Sequence, residues 1–216
     1  MIDKTHNDQA GADWADCYGD STLRLDYPLT PDSIVLDIGG FKGNFAEQIS
    51  NKFKCTIHIF EPMMKYAAHI AHRCKDNNNV FVHPVGVGGK SEDITIYIPD
   101  GTDEATMHPG DSKIAAEENI KVVDVVEVFK ILTAAADGFT FTLIDLMKLN
   151  IEGAEFDLLD RLIAKKLHKK VTDIQIQFHK IDYKSEERRD KIRKKLSKTH
   201  DCTWNYPFIW ENWKLK

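Results

Sequence analysis

The sequence has no CxxC pair, no internal repeat, no low-complexity tract and no surplus of positive charge. Each absence closes off a class. The four cysteines, Cys17, Cys55, Cys74 and Cys202, are widely spaced. That spacing argues against a disulfide framework or a zinc site, and fits reduced thiols in a cytoplasmic protein. A bilayer helix needs about 20 consecutive apolar residues, and no run approaches that, so no membrane contact is expected. The formal net charge of −5 gives no overall attraction to nucleic acid or to an anionic surface. The opening stretch MIDKTHNDQAGADWADC is polar and acidic, which predicts no signal peptide. His69 and His72 lie one turn apart on an expected helix, and such a pair reads as a solvated face, so no metal is expected. KKLHKK (165–170) and RRDKIRKKLSK (188–198) each follow acidic residues and read as solvated faces, so no nucleic-acid partner is expected. The oligomeric state is left open.

What is present is the alternation of a doubly wound α/β protein. Residues 1–32 read as an N-terminal arm with a short helix around Trp14, and residues 33–216 as one domain. SIVLDI (33–38) is a short β-branched apolar run, as expected of a strand buried on both faces. A helix is expected over 44–52, a strand over 54–60, a helix over 63–74 and a strand over 79–85. DITIYI (93–98) alternates like an edge strand. Residues 99–119 hold Pro99, Gly101, Pro109 and Gly110 and read as a long loop, with a helical turn near Ala115. That loop, with Thr102, Asp103, Glu104 and His108, is long enough to be a lid. Residues 122–132 lead into a helix. FTLIDLMKLNI (141–151) reads as a central strand and 154–167 as an amphipathic helix. A strand over 172–178, a charged helix over 185–198 and a final hairpin complete the chain. Trp204, Tyr206, Trp210 and Trp213 are expected to pack that hairpin. The expected sheet is Rossmann-like, mostly parallel and seven-stranded, with an antiparallel C-terminal hairpin strand. Ligands of such sheets sit at the carboxyl ends of the strands, near the switch in strand order.

VLDIGGFKGNF (35–45) lies at that edge. The dinucleotide fingerprint needs a glycine where Ile38 stands, and a P-loop needs Lys and Ser or Thr where Asn44 and Phe45 stand. The spacing of Asp37, Gly39 and Gly43 instead matches the acid-x-Gly-x-x-x-Gly form used for S-adenosyl-L-methionine (SAM). Phe41 replaces the common middle glycine. An acid at the strand tip attracts the ammonium of that ligand, and glycines admit close backbone approach. Glu61 ends the second strand, 18 residues after Gly43, where a carboxylate can accept both ribose hydroxyls. An acid ordering a turn and a Glu capping the helix after Pro62 is the alternative. Strand period two puts Lys148, Asn150 and Glu152 on one face at the tip of the central strand. A buried Lys needs a partner, and Glu152 is the near one. Two readings stay open: a Lys–Glu tie between strand and helix, or a substrate-facing set. His179 closes the next strand, after Gln175 and Gln177, as either a base for an acceptor hydroxyl or a packed strand-end ring.

Three stretches in order, VLDIGGFKGNF, IFEP (59–62) and LMKLNIEGAEFDLL (146–159), carry a resemblance to the FkbM family of class I SAM-dependent methyltransferases. VHPVGVGGKSEDITIYI (82–98) is similar to the family's third strand and following hairpin. The likeness covers about residues 33–181. It implies methyl transfer from SAM to a hydroxyl of a small polyhydroxyl acceptor, a sugar or natural product. Asp37, Gly39, Gly40, Phe41, Gly43, Glu61 and Pro62 would hold the cofactor, with Val85 or Gly86 at its adenine side. Lys148, Asn150, Glu152 and His179 would face the acceptor. Asn150 stands where the family has aspartate, keeping the shape and the acceptor oxygen but not the charge. That departure supports a second reading, a SAM-binding sensor or partner subunit without transfer. An NAD-dependent oxidoreductase is the third, weakened by Ile38.

Overall fold

The structure is a computed structural model, and it describes residues 5–102, 113–134 and 143–216. Helix α1 (Thr5–Asp16) precedes the first wind: β1 (Ile34–Ile38), α2 (Asn44–Phe53), β2 (Thr56–Phe60), α3 (Met64–Arg73) and β3 (Val80–His83). Three strands follow, β4 (Gly86–Gly88), β5 (Glu92–Pro99) and β6 (Ile114–Asp124). The second wind is α4 (Val125–Ala134), β7 (Ile144–Leu149), α5 (Glu155–Ala164), β8 (Val171–Ile176), α6 (Ser185–Leu196) and the hairpin β9 (His200–Tyr206) and β10 (Trp210–Leu215).

The main sheet has seven strands in the order β3-β2-β1-β7-β8-β10-β9. Strand β10 runs antiparallel to β8, and β9 antiparallel to β10, so β9 returns to the common direction. The strand order reverses between β1 and β7, which pair in parallel with Asp37 opposite Lys148. This switch point opens the crevice that strand-end ligands use.

The sequence of β1 explains its central place. Leu36 and Ile38 join a core with Met147, Leu149, Phe129 and Phe156 on one face. Val35 joins Phe45, Ile49, Ile57, Ile70 and Leu146 on the other. Helices α4, α5 and α6 thus cover one face, and α2 and α3 the other. The tips of β1 and β7 turn by close backbone approach. A Cβ on Gly39, at φ +85, would lie 1.8 Å from the Asn150 carbonyl oxygen, so only glycine fits. Gly43, at φ +81, caps α2 and rests on Ile70.

The region after β3 differs from the sequence-based expectation. Strand β5 is an edge strand, but of a separate three-stranded sheet ordered β4-β6-β5. The helical turn expected near Ala115 is absent, because residues 114–124 form β6, antiparallel to β5. The outer half, IAAEEN, is mostly exposed and lacks the period-two alternation that becomes plain at Ile120, Val122 and Asp124, all buried. Cross-strand pairing supplies what the pattern lacks: Thr95 Oγ1 donates to Asn119 Oδ1 at 2.8 Å. Of the expected lid, Asp103, Glu104 and His108 lie outside the described residues.

The N-terminal segment docks on the hairpin. The ring of Trp14 lies 5.7 Å from that of Trp204 and 5.1 Å from that of Tyr206. Tyr27 is buried, accepts from Gln175 Nε2 at 2.7 Å and donates to Asn212 Oδ1 at 3.2 Å. Trp210 faces Arg24 and Trp213 faces Arg193, so these aromatic rings pack the hairpin against cations.

Candidate functional site

Two cavities open at the switch point. The first, of about 440 Å³, runs from the glycine loop under the small sheet to the start of α5. Its lining includes Gly39, Phe41, Glu61, Pro62, Gly86 and Asn150 among the expected residues, together with Glu152. Glu92, Asp157 and Asp160 line it as well, paired with Lys90, Arg188 and Lys195, so Lys90, the one lysine among the described lining residues, is itself neutralised. Such a lining favours a cation over a phosphate. The second cavity, of about 560 Å³, lies between the glycine loop and the N-terminal segment. Gly40, Lys42, Lys148, Gln48 and Arg24 line it. Gly39, Phe41 and Asn150 line both. Asp37, Gly43, Val85 and His179 line neither.

The first cavity is organised by Glu61. The carboxylate is buried, yet Oε2 accepts from the Phe41 backbone N–H at 2.7 Å and Oε1 from that of Met63 at 2.9 Å. Burial pushes its pKa up to about 7, against those two donors and the positive charge of Lys148. Each oxygen keeps a lone pair for a further donor. Phe41 explains how a bulky residue replaces glycine here. It keeps the left-handed backbone, φ +49, at a cost of roughly 1–2 kcal/mol. Its N–H reaches Glu61, and its ring meets the edge of Tyr66 at 4.7 Å. A Cβ on Gly86 would press on Val122 at 3.3 Å, and one on Gly89 would lie 2.7 Å from the Asp157 carbonyl oxygen. These glycines keep that wall thin.

Lys148 is not paired with Glu152. Its Nζ lies 2.9 Å from Asp37 Oδ1 and donates to the Gly39 carbonyl oxygen at 2.5 Å. The cause is register: the two residues face each other across β1 and β7. Burial draws the Lys148 pKa down and Asp37 opposes it. The contact lies off hydrogen-bond geometry, because neither Asp37 oxygen accepts a hydrogen bond from a described residue. Asp37 therefore sits behind Lys148, not at a cavity wall. Asn150 Oδ1 is also buried with no donor among the described residues. An unmatched acceptor of this kind, at the place where two cavities meet, is a group awaiting a donor.

Glu152 pairs with His179, Oε1 to Nε2 at 3.4 Å. His179 Nδ1 lies 3.0 Å from Glu155 Oε1, which also accepts from the His179 backbone at 2.7 Å. Burial works against a charged ring, but the Glu152 and Glu155 carboxylates outweigh it and hold its pKa at about 10. At neutral pH the ring is an imidazolium, which has no free lone pair to take a proton. Of the two readings of His179, these contacts favour the packed strand-end ring over the base. Glu155 joins two loops, since its other oxygen accepts from Gly153 N–H at 2.9 Å.

Sequence reasoning missed Arg24, Tyr66 and the small-sheet wall. Arg24 carried one signal, a lone cation between two leucines in TLRLDY. His69 and His72 are exposed on α3. Among the described residues no group of three His, Cys, Asp or Glu side chains is placed to hold a metal, and no helix is long and apolar enough to cross a membrane.

Sheet order, glycine loop and buried strand-end carboxylate together define a Rossmann-like α/β fold of the class I methyltransferase type. The chain belongs to the methyltransferase FkbM domain family, matched over residues 37–206. A proposed rRNA methylase from Clostridium thermocellum is similar in structure, with a TM-score of 0.53 and 11% identity over 92% of this chain and 94% of that one. The 23S rRNA methyltransferase ErmE gives 0.51, with 8% identity over 92% and 68%. The Methanococcus jannaschii fibrillarin pre-rRNA processing protein gives 0.50, with 13% identity over 90% and 73%. Identities this low speak for the fold alone. No curated protein matches the sequence.

Proposed function

We propose that the protein is a SAM-dependent O-methyltransferase acting on a hydroxyl of a small polyhydroxyl acceptor. The observation that carries the reading is the meeting of two cavities of opposite character at Gly39, Phe41 and Asn150. The acidic one suits a sulfonium nucleoside that carries no phosphate. Glu61 would accept from the ribose hydroxyls, and Pro62 and Gly86 would flank the adenine. Lys148 and Asp37 fix the tip of β1 against β7 and hold the loop in place.

When bound, SAM supplies an electrophilic methyl group on a positively charged sulfur. The chain's own residues orient the acceptor and keep water out. Asn150 Oδ1 accepts a hydrogen bond from the acceptor hydroxyl and aims its oxygen. An uncharged amide is no base, so rate comes mainly from placement in line. Glu152 and Glu155 hold His179 as imidazolium, which secures the loops after β7 and β8. The free thiols fit a cytoplasmic setting.

The uncharged Asn150 where the two cavities meet supports a second reading, a SAM-binding subunit without transfer. A labelling assay separates them. Methyl-labelled SAM is incubated with a panel of small hydroxyl compounds and, in parallel, with ribosomal RNA. Label in the small-molecule fraction, lost in Asn150→Ala, is the expected result. Label in RNA moves the acceptor class, and no label from a protein that binds the cofactor favours the second reading.

A further inference from the structure

The second cavity carries groups that methyl transfer does not require. Its outer wall comes from the N-terminal segment, which precedes the family match at residues 37–206. Arg24 on that wall is held on three sides. Its Nε donates to Gln175 Oε1 at 3.1 Å, and its Nη1 pairs with Asp20 Oδ1 at 2.8 Å. Its guanidinium carbon lies 4.0 Å from the centre of the Trp210 ring. The side chain keeps 16% of its exposure, whereas Asp20 keeps 68%. Water screens an acid that exposed, and such a pair is weak. Asp20 lines the same cavity and offsets part of the charge, but Nη2 of Arg24 has no hydrogen-bond partner among the described residues.

A fixed, half-dry guanidinium presents a planar fork that matches a carboxylate. Lys148 forms the floor, close enough to Arg24 to feel its charge. Tyr18 also lines the cavity and is 74% exposed. Asn150 closes the far end with its unmatched oxygen. The partly buried guanidinium of Arg24, above a Lys148 that is already paired with Asp37 and beside an aromatic ring, describes a receptor for an acidic organic group.

We propose that the second cavity is a carboxylate subsite centred on Arg24. This rests on the cofactor assignment of the first cavity. Two carboxylates fit the chemistry: that of an acidic hydroxyl acceptor, and that of the cofactor's own amino-acid end.

The test is calorimetry on the full chain, wild type and Arg24→Gln, with Arg24→Lys as a variant that keeps the charge. S-adenosylhomocysteine is compared with 5′-methylthioadenosine, which lacks the amino-acid end. The protein loaded with S-adenosylhomocysteine is then titrated with glucuronate against glucose, and with 4-hydroxybenzoate against 4-hydroxybenzyl alcohol. A loss of about tenfold or more for S-adenosylhomocysteine alone in Arg24→Gln assigns the subsite to the cofactor. Unchanged nucleoside binding, with a wild-type preference for the acids of about tenfold that Arg24→Gln abolishes, assigns it to the acceptor. No preference for acids, with S-adenosylhomocysteine binding intact in Arg24→Gln, overturns the proposal. Asp20→Asn, which removes the competing acid, is expected to tighten whichever carboxylate binds. The wild-type comparison of acids with neutral partners stands even if Arg24→Gln fails to fold. Failure of wild type to bind either nucleoside strikes the cofactor reading instead.

Discussion

Lys148 Nζ sits 2.9 Å from Asp37 Oδ1, with the two side chains 4% and 0% exposed, where the central strands meet. Removing one partner strands the other charge without water. Lys148→Met is expected to destabilise the fold by about 3–5 kcal/mol, because it leaves the Asp37 carboxylate buried and alone. Asp37→Asn combined with Lys148→Met is expected to recover much of that loss. Urea titrations of the three proteins give the comparison, and a Lys148→Met protein as stable as wild type contradicts the pairing.

Gly39 offers a backbone test of the same junction. Ala at this position must adopt φ +85 and place its Cβ 1.8 Å from the Asn150 carbonyl oxygen. The tips of β1 and β7 must part. We expect Gly39→Ala to lose at least about 2 kcal/mol of stability through strain and clash. Affinity for S-adenosylhomocysteine is expected to fall with it.

Glu61 makes cofactor binding depend on pH. Burial raises its pKa to about 7 in the free protein, from an ordinary value of 4.5. The ribose hydroxyls donate to the ionised form, so affinity rises as pH climbs through about 7 and levels above it. Stability of the free protein has the opposite sign. A raised carboxyl pKa contributes stability that is present in full below 4.5 and is lost as pH rises through about 7. Glu61→Gln is expected to flatten the binding profile. Titration calorimetry at pH 6, 7 and 8 (about one pH unit on either side of the Glu61 pKa) reads the first effect, and melting temperatures from about pH 4 to 8 read the second.

His179 is expected to stabilise rather than to catalyse. Its pKa is held at about 10, above the ordinary 6.5, by Glu152 and Glu155 against burial. That stabilisation is complete below 6.5 and is lost as pH rises toward about 10. The imidazole signals in an NMR titration should therefore not move between about pH 6 and 8. His179→Gln should lower the melting temperature while turnover stays within about threefold of wild type. A ring that titrates near 6.5, or a variant that folds well and has lost turnover, would restore the base role.

The strands at the centre were readable because their sequences allow little else. SIVLDI and FTLIDLMKLNI are too apolar to face water and too short and β-branched for buried helices. The positions of Gly39, Gly43 and Glu61 follow from spacing along single elements. The partner of Lys148 was not readable, because it depends on which strand lies beside β7 and in what register. The small sheet was hidden for a similar reason, since the exposed outer half of β6, which lacks alternation, becomes a strand only through pairing with β5. Arg24 and Tyr18 reach the second cavity by docking of the N-terminal segment, through Trp14 and Tyr27 on distant strands. No local pattern announces that contact.

The central claim, that the acidic cavity beside Glu61 is a SAM site, is tested most directly by titrating the protein with S-adenosylhomocysteine, with NAD as the control. Micromolar affinity is expected for the first and none for the second. Glu61→Ala should cost about 1.5–3 kcal/mol of binding, the range for a lost charged acceptor. No heat with S-adenosylhomocysteine, or equal affinity in Glu61→Ala, would contradict it.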